Sequence, residues 1–256
     1  MNCDIVLREG ERLDEVNESL KLIQKTDGLT FGTDAYLLAA YMYANASGFA
    51  AELGGGTGII SLLAASRKRF EKITVAEIQE DYAELIGRNI ELNDMSDRLA
   101  VLCRDARDLK PADFPRELDA VFSNPPYMKT DSGKRNECEG KYIARHEVFG
   151  GIDDFCAAAY RLLKFGGRFY VVYRPDRLID LIGALRNNRL EPKKMTFVQS
   201  DTKTAPSMVL IEAKKGASAS LTLTKNLILY KDGTREMSED AEKIYESCSF
   251  AEFFKK

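Results

Sequence analysis

From Phe49 onward the chain alternates short apolar runs with longer amphipathic stretches. Phe49–Leu53, Ile73–Glu77, Leu99–Cys103 and Leu118–Ser123 are dominated by aliphatic residues and end at polar or turn-forming ones, as strands buried on both faces do. Ile59–Ser66, Glu80–Asn93, Asp153–Lys164 and Asp176–Asn187 carry apolar residues at helical spacing, with Leu85, Ile90 and Leu92 on the second of these. Arg168–Tyr173, Met195–Gln199 and Met208–Ala213 complete the strands. This rhythm predicts an α/β fold: a Rossmann-like, seven-stranded, mostly parallel, doubly wound sheet. Ser200–Ser207 is too short for a crossover helix, so the last strand is expected to pair antiparallel with its predecessor.

The flanks are less regular. Asp4–Leu7 and Leu20–Gln24 predict a small N-terminal hairpin. Thr33 is placed to cap a helix over Ala35–Ala44, whose Leu37, Leu38, Tyr41 and Met42 read as core. Past Gly216-Ala217-Ser218, a strand at Leu227–Tyr230 and a helix over Ser238–Ser247 form a tail. The chain therefore divides into an extension (1–30), a main domain (31–216) with an irregular, polar insertion (128–147), and a C-terminal appendage (217–256).

Composition narrows the function classes. The 256 residues are 45% hydrophobic, yet no apolar run approaches the roughly 20 residues of a spanning helix. The start lacks the basic-then-apolar pattern of a secretory signal, so a cytoplasmic protein with no membrane partner is expected. Five cysteines without a C-x-x-C pair, and a single His146, argue against a disulfide framework and against a metal site. Cys103 and Cys156 fall in apolar patterns and are expected in the core. A net charge of −3 means that any nucleic acid must be held by a local basic surface.

The candidate chemistry begins where the first strand meets its helix, at Glu52-Leu53-Gly54-Gly55-Gly56-Thr57-Gly58. Glycines in such a turn permit positive φ and let a ligand approach the backbone closely. The pattern Gly54-x-Gly56-x-Gly58 departs from the G-x-G-x-x-G of dinucleotide folds, and the preceding acid, Glu52, suits a cation better than a pyrophosphate. S-adenosylmethionine carries an ammonium and a sulfonium, and fits this turn. Glu77, which ends the second strand 19 residues after Gly58, is placed to accept both ribose hydroxyls. Asp105 and Ala106, after the third strand, are the expected partners of the adenine ring.

The second chemical turn is Ser123-Asn124-Pro125-Pro126-Tyr127, after the fourth strand. Strands one and four of such a sheet are neighbours at the topological switch point, so both turns face one crevice. Two prolines make the turn rigid and strip it of amide donors. The Asn124 side-chain oxygen and the Pro125 carbonyl can accept the two hydrogens of one NH₂ group, while Tyr127 offers a face for a planar base. That set points to methylation of an amine held in line with the methyl donor. The candidate catalytic residues are Asn124, Pro125 and Tyr127.

With both turns in view, the chain resembles the class I S-adenosylmethionine-dependent methyltransferases of the amino-methylating type. Phe31-Gly32-Thr33-Asp34-Ala35, Ala144-Arg145-His146-Glu147 and Ser207–Lys215 extend the likeness to the bacterial family that methylates N6 of an adenine beside the anticodon of a valine tRNA. Glu52 stands where that family more often has Asp. The resemblance implies S-adenosylmethionine as cofactor, tRNA as partner, and cofactor contacts from Thr33, Glu52, Gly54, Gly56, Gly58, Glu77, Ile78, Asp105, Ala106 and Asn124. For RNA, the basic candidates are Lys129, Lys134, Arg135, Lys141 and Arg145 in the insertion, and Lys193 and Lys194 near the sixth strand. The same turn would also serve glutamine-N5 methylation of a protein or guanine-N2 methylation of rRNA. A cofactor-binding RNA module without catalysis is the alternative of another class.

Overall fold

The computed structural model describes residues 6–28, 31–126 and 150–255. The chain opens with an antiparallel hairpin of β1 (Glu11–Asn17) and β2 (Leu20–Lys25), followed by α1 (Thr33–Tyr41). Next come β3 (Asn45–Leu53), α2 (Ile59–Ser66), β4 (Phe70–Glu77), α3 (Glu80–Leu92), β5 (Leu99–Cys103) and β6 (Leu118–Ser123). After the insertion follow α4 (Ile152–Leu162), β7 (Leu163–Tyr173), α5 (Leu178–Asn187), β8 (Leu190–Gln199) and β9 (Met208–Lys215). The appendage adds β10 (Thr222–Leu223), β11 (Leu227–Ile228) and α6 (Glu239–Ser247).

The main strands lie in the order β8-β9-β7-β6-β3-β4-β5, and β10 and β11 both pair with β8. β7, β6, β3, β4 and β5 run parallel, while β9 is antiparallel to both β7 and β8, as the short connection requires. Helices cover both faces. α1, α2, α3 and α6 bury their apolar sides with Phe70, Phe122 and Tyr170 in one layer, and α4 and α5 pack with Phe169, Val171 and Ile211 in the other. Among the described residues no helix is long and apolar enough to cross a membrane.

Three local expectations are corrected. The hairpin partner of β2 is Glu11–Asn17 and not Asp4–Leu7, of which residues 4 and 5 lie outside the described residues. Polar as it is, β1 is held by the Glu11–Arg88 ion pair and by a turn in which the Asn17 side chain accepts the Ser19 amide. The N-cap of α1 is Gly32, with no side-chain cap bond; Thr33 is already the first helical residue, and Leu37, Leu38, Tyr41 and Met42 are buried as expected. Cys103 is exposed, because β5 is the edge strand and only its first residue is buried, whereas Cys156 is in the core.

Side chains tie the flanks to the sheet. Asn89 on α3 and Asn93 at its C-terminal cap sit one turn apart and treat the free edge of β2 as a neighbouring strand would. Asn89 accepts the Ile23 amide (2.7 Å) and donates to the Ile23 carbonyl (3.0 Å), and Asn93 does the same at Lys21 (2.9 and 2.8 Å). The buried Arg69 guanidinium donates to the Met42 and Ala40 carbonyls at the end of α1 and to the Cys248 carbonyl just past α6. A helix end leaves such carbonyls without partners, so this one side chain closes two helix ends and joins the appendage to the body.

Candidate active site

The crevice forms at the carboxyl edge of the sheet, where β3 and β6 lie side by side in the register Glu52 to Phe122. The Ser123 hydroxyl donates to the Leu53 carbonyl (2.7 Å) in the interior. This bond crosslinks the two strand ends, so the residues that follow, Gly54 and Asn124, leave the sheet next to one another.

On one side stands the glycine loop. Gly54 and Gly55 both donate to the Ala76 carbonyl (2.9 and 3.2 Å), which anchors the loop to β4. Gly54, Gly56 and Gly58 have φ of +73°, +56° and +80°, a region that other residues adopt only at a cost. A Cβ on Gly56 would meet nothing within 4 Å, so the concave side of the loop is open to a ligand. Gly55 was absent from the predicted contacts, and the structure gives it a different reason to be glycine. A Cβ there would lie 2.2 Å from Val75 Cγ1, so the loop packs directly on β4. The repeated glycines of the motif were the available signal. Thr57 is drawn in by Asn89, whose amide donates to its carbonyl (3.1 Å).

Two carboxylates flank the loop. Glu52 is fully buried beneath it, with Oε2 accepting the Ser61 amide (3.1 Å) and the Ser61 hydroxyl, while Oε1 has no partner among the described residues. Burial pushes its carboxyl up to about 8; the Ser61 donors oppose that shift and the nearby Glu77 adds to it. Glu77, also buried, accepts the Gly56 amide (2.9 Å) on Oε2 and the Gln79 amide (3.0 Å) on Oε1. Burial raises its carboxyl too, against the pull of these amides. Each Glu77 oxygen keeps a second lone pair, enough for a vicinal diol. An orphaned buried carboxyl oxygen, an open glycine cradle and an amide-fixed acid together fit a ligand that carries both a cation and a ribose.

Asp105 and Ala106 follow β5, whose end is in register with that of β4, Glu77 to Cys103. The Asp105 carboxylate accepts the Arg107 amide (2.8 Å) and pairs with the Arg107 guanidinium (2.5 Å). Burial acts upward on this carboxyl, but the Arg107 contacts outweigh it and hold it below the usual range. Ile78 is half-buried beside Glu77.

On the other side of the crevice, a cleft of roughly 180 Å³ is lined by Thr33, Asp34, Asn124, Val172, Tyr173, Arg174, Ser207 and Met208. Antiparallel β9 is the reason Ser207 and Met208 are there: its first residues meet the last residues of β7, in the register Val209 to Tyr173. The Asn124 amide group donates to Asp34 Oδ2 (2.7 Å), a contact between residues 90 positions apart. Pro125 is buried. Thr33, predicted among the cofactor contacts, lines this cleft with Asn124.

The appendage backs the Asn124 side. Tyr245 stacks on Tyr36 of α1 at 4.5 Å between ring centres and accepts the Tyr36 hydroxyl at its carbonyl (2.6 Å). Asp232 accepts the Thr202 amide (3.0 Å) and hydroxyl (2.5 Å) in the loop before β9. Lys193 donates to the Ser218 carbonyl (3.0 Å) and to the Ser220 hydroxyl, and the Lys194 ammonium lies 3.8 Å above the Phe254 ring. Both predicted RNA-contacting lysines of β8 thus already have intramolecular partners. Tyr127, Lys129, Lys134, Arg135, Lys141, Arg145 and His146 lie outside the described residues. Among the described residues no group of three or more His, Cys, Asp or Glu could hold a metal ion.

Comparison with known proteins follows the same lines. Residues 26–181 match the family model described as the methyltransferase small domain. A curated tRNA1(Val) (adenine(37)-N6)-methyltransferase from Phocaeicola vulgatus is 33% identical over 187 residues, covering 72% of this chain and 76% of its own. One of the same name from Porphyromonas gingivalis is 29% identical, covering 73% and 75%. Among solved structures, one described as a predicted O-methyltransferase from Agrobacterium tumefaciens superposes with a TM-score of 0.69 at 23% identity, covering 85% of this chain and 97% of that one. M. jannaschii TYW2, solved in complex with AdoMet, gives a TM-score of 0.54 at 14% identity, covering 82% and 88%. At these identities the two structures speak for the fold alone.

Proposed function

We propose, from the premise that this chain belongs to the methyltransferase small-domain family and, within it, to the family of the tRNA1(Val) (adenine(37)-N6)-methyltransferases, that it methylates the exocyclic N6 amine of adenine 37 in a valine tRNA. S-adenosylmethionine, when bound, supplies the electrophilic methyl group on its sulfonium. The observation that carries the reading is the crosslinked pair of strand ends, which sets the acceptor turn at Asn124 directly beside the glycine loop.

In this reading Glu77 takes the ribose hydroxyls, the open face of Gly54–Gly58 admits the amino-acid end, and the orphaned oxygen of Glu52 gives the α-ammonium a partner. Asp105 and Ala106 flank the adenine ring of the cofactor. Asn124 Oδ1 and the Pro125 carbonyl accept the two hydrogens of the substrate amine and turn its lone pair toward the methyl group. The nitrogen becomes cationic as its bond to the methyl carbon forms and the bond from that carbon to sulfur breaks, leaving a neutral thioether; it then releases one proton to solvent, so no strong base is needed beforehand. Tyr127 stacks on the target base, which must leave its own stack to enter the cleft. Lys129, Lys134, Arg135, Lys141 and Arg145, together with Lys193 and Lys194, form the basic surface of this reading, and a tRNA substrate puts the reaction in the cytoplasm.

The test is transfer of labelled methyl from S-adenosylmethionine into total tRNA, rRNA and protein from cells lacking this gene, followed by nucleoside analysis. The expected product is N6-methyladenosine in the tRNA fraction. Label in protein glutamine or in rRNA guanine would replace the substrate, and cofactor binding without transfer to any fraction would replace the enzyme with a binding module.

A further inference from the structure

The proposed reaction requires Asn124 to present its oxygen, and not its NH₂ group, to the substrate amine. An asparagine amide is almost symmetric in shape, and the bond that turns it over is soft, so packing alone discriminates weakly between the two orientations. With the wrong one, two NH₂ groups would face each other and the amine would lose an acceptor. Something must fix the orientation before the substrate arrives.

Asp34 has the chemistry to do so. An ionised carboxylate has no hydrogen to give, so only the donor edge of an amide can face it. Asp34 Oδ2 receives that edge at 2.7 Å, and Asn124 Oδ1 is thereby turned away from it. Both residues line the same cleft. Asp34 sits in the first turn of α1, so the helix backbone fixes where its carboxylate stands. Gly32 makes the room. Its φ of −120° is open to any residue, but a Cβ there would stand 2.8 Å from Asp34 Oδ1. Glycine at position 32 thus leaves the Asp34 carboxylate room to stand where it does.

We propose that Asp34 is a positioning residue, which locks the Asn124 amide with Oδ1 presented to the substrate amine; the proposal rests on the methylation reading above. The test is an exchange of the pair. Asp34→Asn gives the partner both a donor and an acceptor and releases the orientation. Its kcat should fall about 10- to 100-fold with little change in KM for tRNA or in cofactor affinity. Asn124→Asp alone sets two carboxylates against each other and should be at least as slow. In the double variant Asp34→Asn/Asn124→Asp, the amide at position 34 donates to a carboxylate whose two oxygens are equivalent, so no orientation needs fixing. It should regain about tenfold or more over the slower single variant.

Wild-type kcat in Asp34→Asn, or a double variant no faster than the slower single, overturns the proposal. Wild-type protein that methylates no tRNA refutes the functional reading instead. In that event exchange of the Asn124 side-chain amide protons, followed by NMR in the free protein, decides the matter: it should be slow in the wild type and about tenfold or more faster in Asp34→Asn. Equal rates overturn the role of Asp34.

Discussion

The two sides of the crevice are assembled differently. The glycine loop side draws its groups from the ends of three adjacent parallel strands: Glu52 on β3 with Gly54 to Gly58 after it, Glu77 on β4 and Asp105 after β5. The Asn124 side draws on the start of α1, the turn after β6, the end of β7 and the start of β9, with a tail buttress behind. A run of consecutive residues can carry its own geometry, since strand, turn and helix together fix where each glycine points. A cleft gathered from distant positions depends on every long-range contact that brings them together.

That difference predicts separable failures. The largest belongs to Asn124→Ala, which in the proposed reading removes an acceptor of the substrate amine and leaves the other nine proposed cofactor contacts in place. Turnover should drop about 100- to 1,000-fold while the cofactor Kd from calorimetry stays within about twofold. Equal loss of cofactor affinity would mean that the two sides are not distinct. Glu77→Ala should do the reverse. Losing charge-assisted bonds to two hydroxyls should weaken cofactor binding about 10- to 100-fold, with kcat at saturating cofactor largely kept. A normal Kd in this variant would remove Glu77 from the ribose site.

The smallest effect sharpens the comparison through pH. The Glu52 carboxyl is pushed up to about 8 in the fold, above the usual value of about 4.3 in the unfolded chain. The folded state therefore holds its proton more tightly. The stability from this group is complete below pH 4.3 or so and is lost as pH rises toward 8. Wild-type Tm should fall by several degrees between pH 5.5 and 8.5, and Glu52→Gln should flatten that part of the slope. An unchanged slope in the variant would assign the pH dependence to other groups.

The same contrast governs what could be read from the sequence. The sheet strands, the antiparallel β9 and the glycine loop were legible because each is announced by local periodicity or turn chemistry. The proximity of Asn124 to Gly54 was legible as well, since the strand order of a doubly wound sheet reverses between its first and fourth strands, which makes them neighbours. The Asp34–Asn124 bond was not, although Asp34 lay in a recognised motif, because a pairing across 90 residues leaves no local pattern. The Arg69 clamp on three carbonyls was hidden for the same reason. In the hairpin, local hydrophobicity pointed to the wrong first strand, and the Glu11–Arg88 ion pair with the Asn17 turn accounts for the observed one.

The central claim is that Asn124 and Pro125 present an exocyclic amine of adenine to the methyl donor, and one substitution in the RNA tests it most directly. Single-turnover methyl transfer would be measured on an anticodon stem–loop of valine tRNA with adenosine at position 37, and on the same RNA with purine riboside there. The account predicts N6-methyladenosine from the first and no methyl transfer to the second. Methylation of the purine-containing RNA, or a ring-nitrogen product from the first, would contradict it.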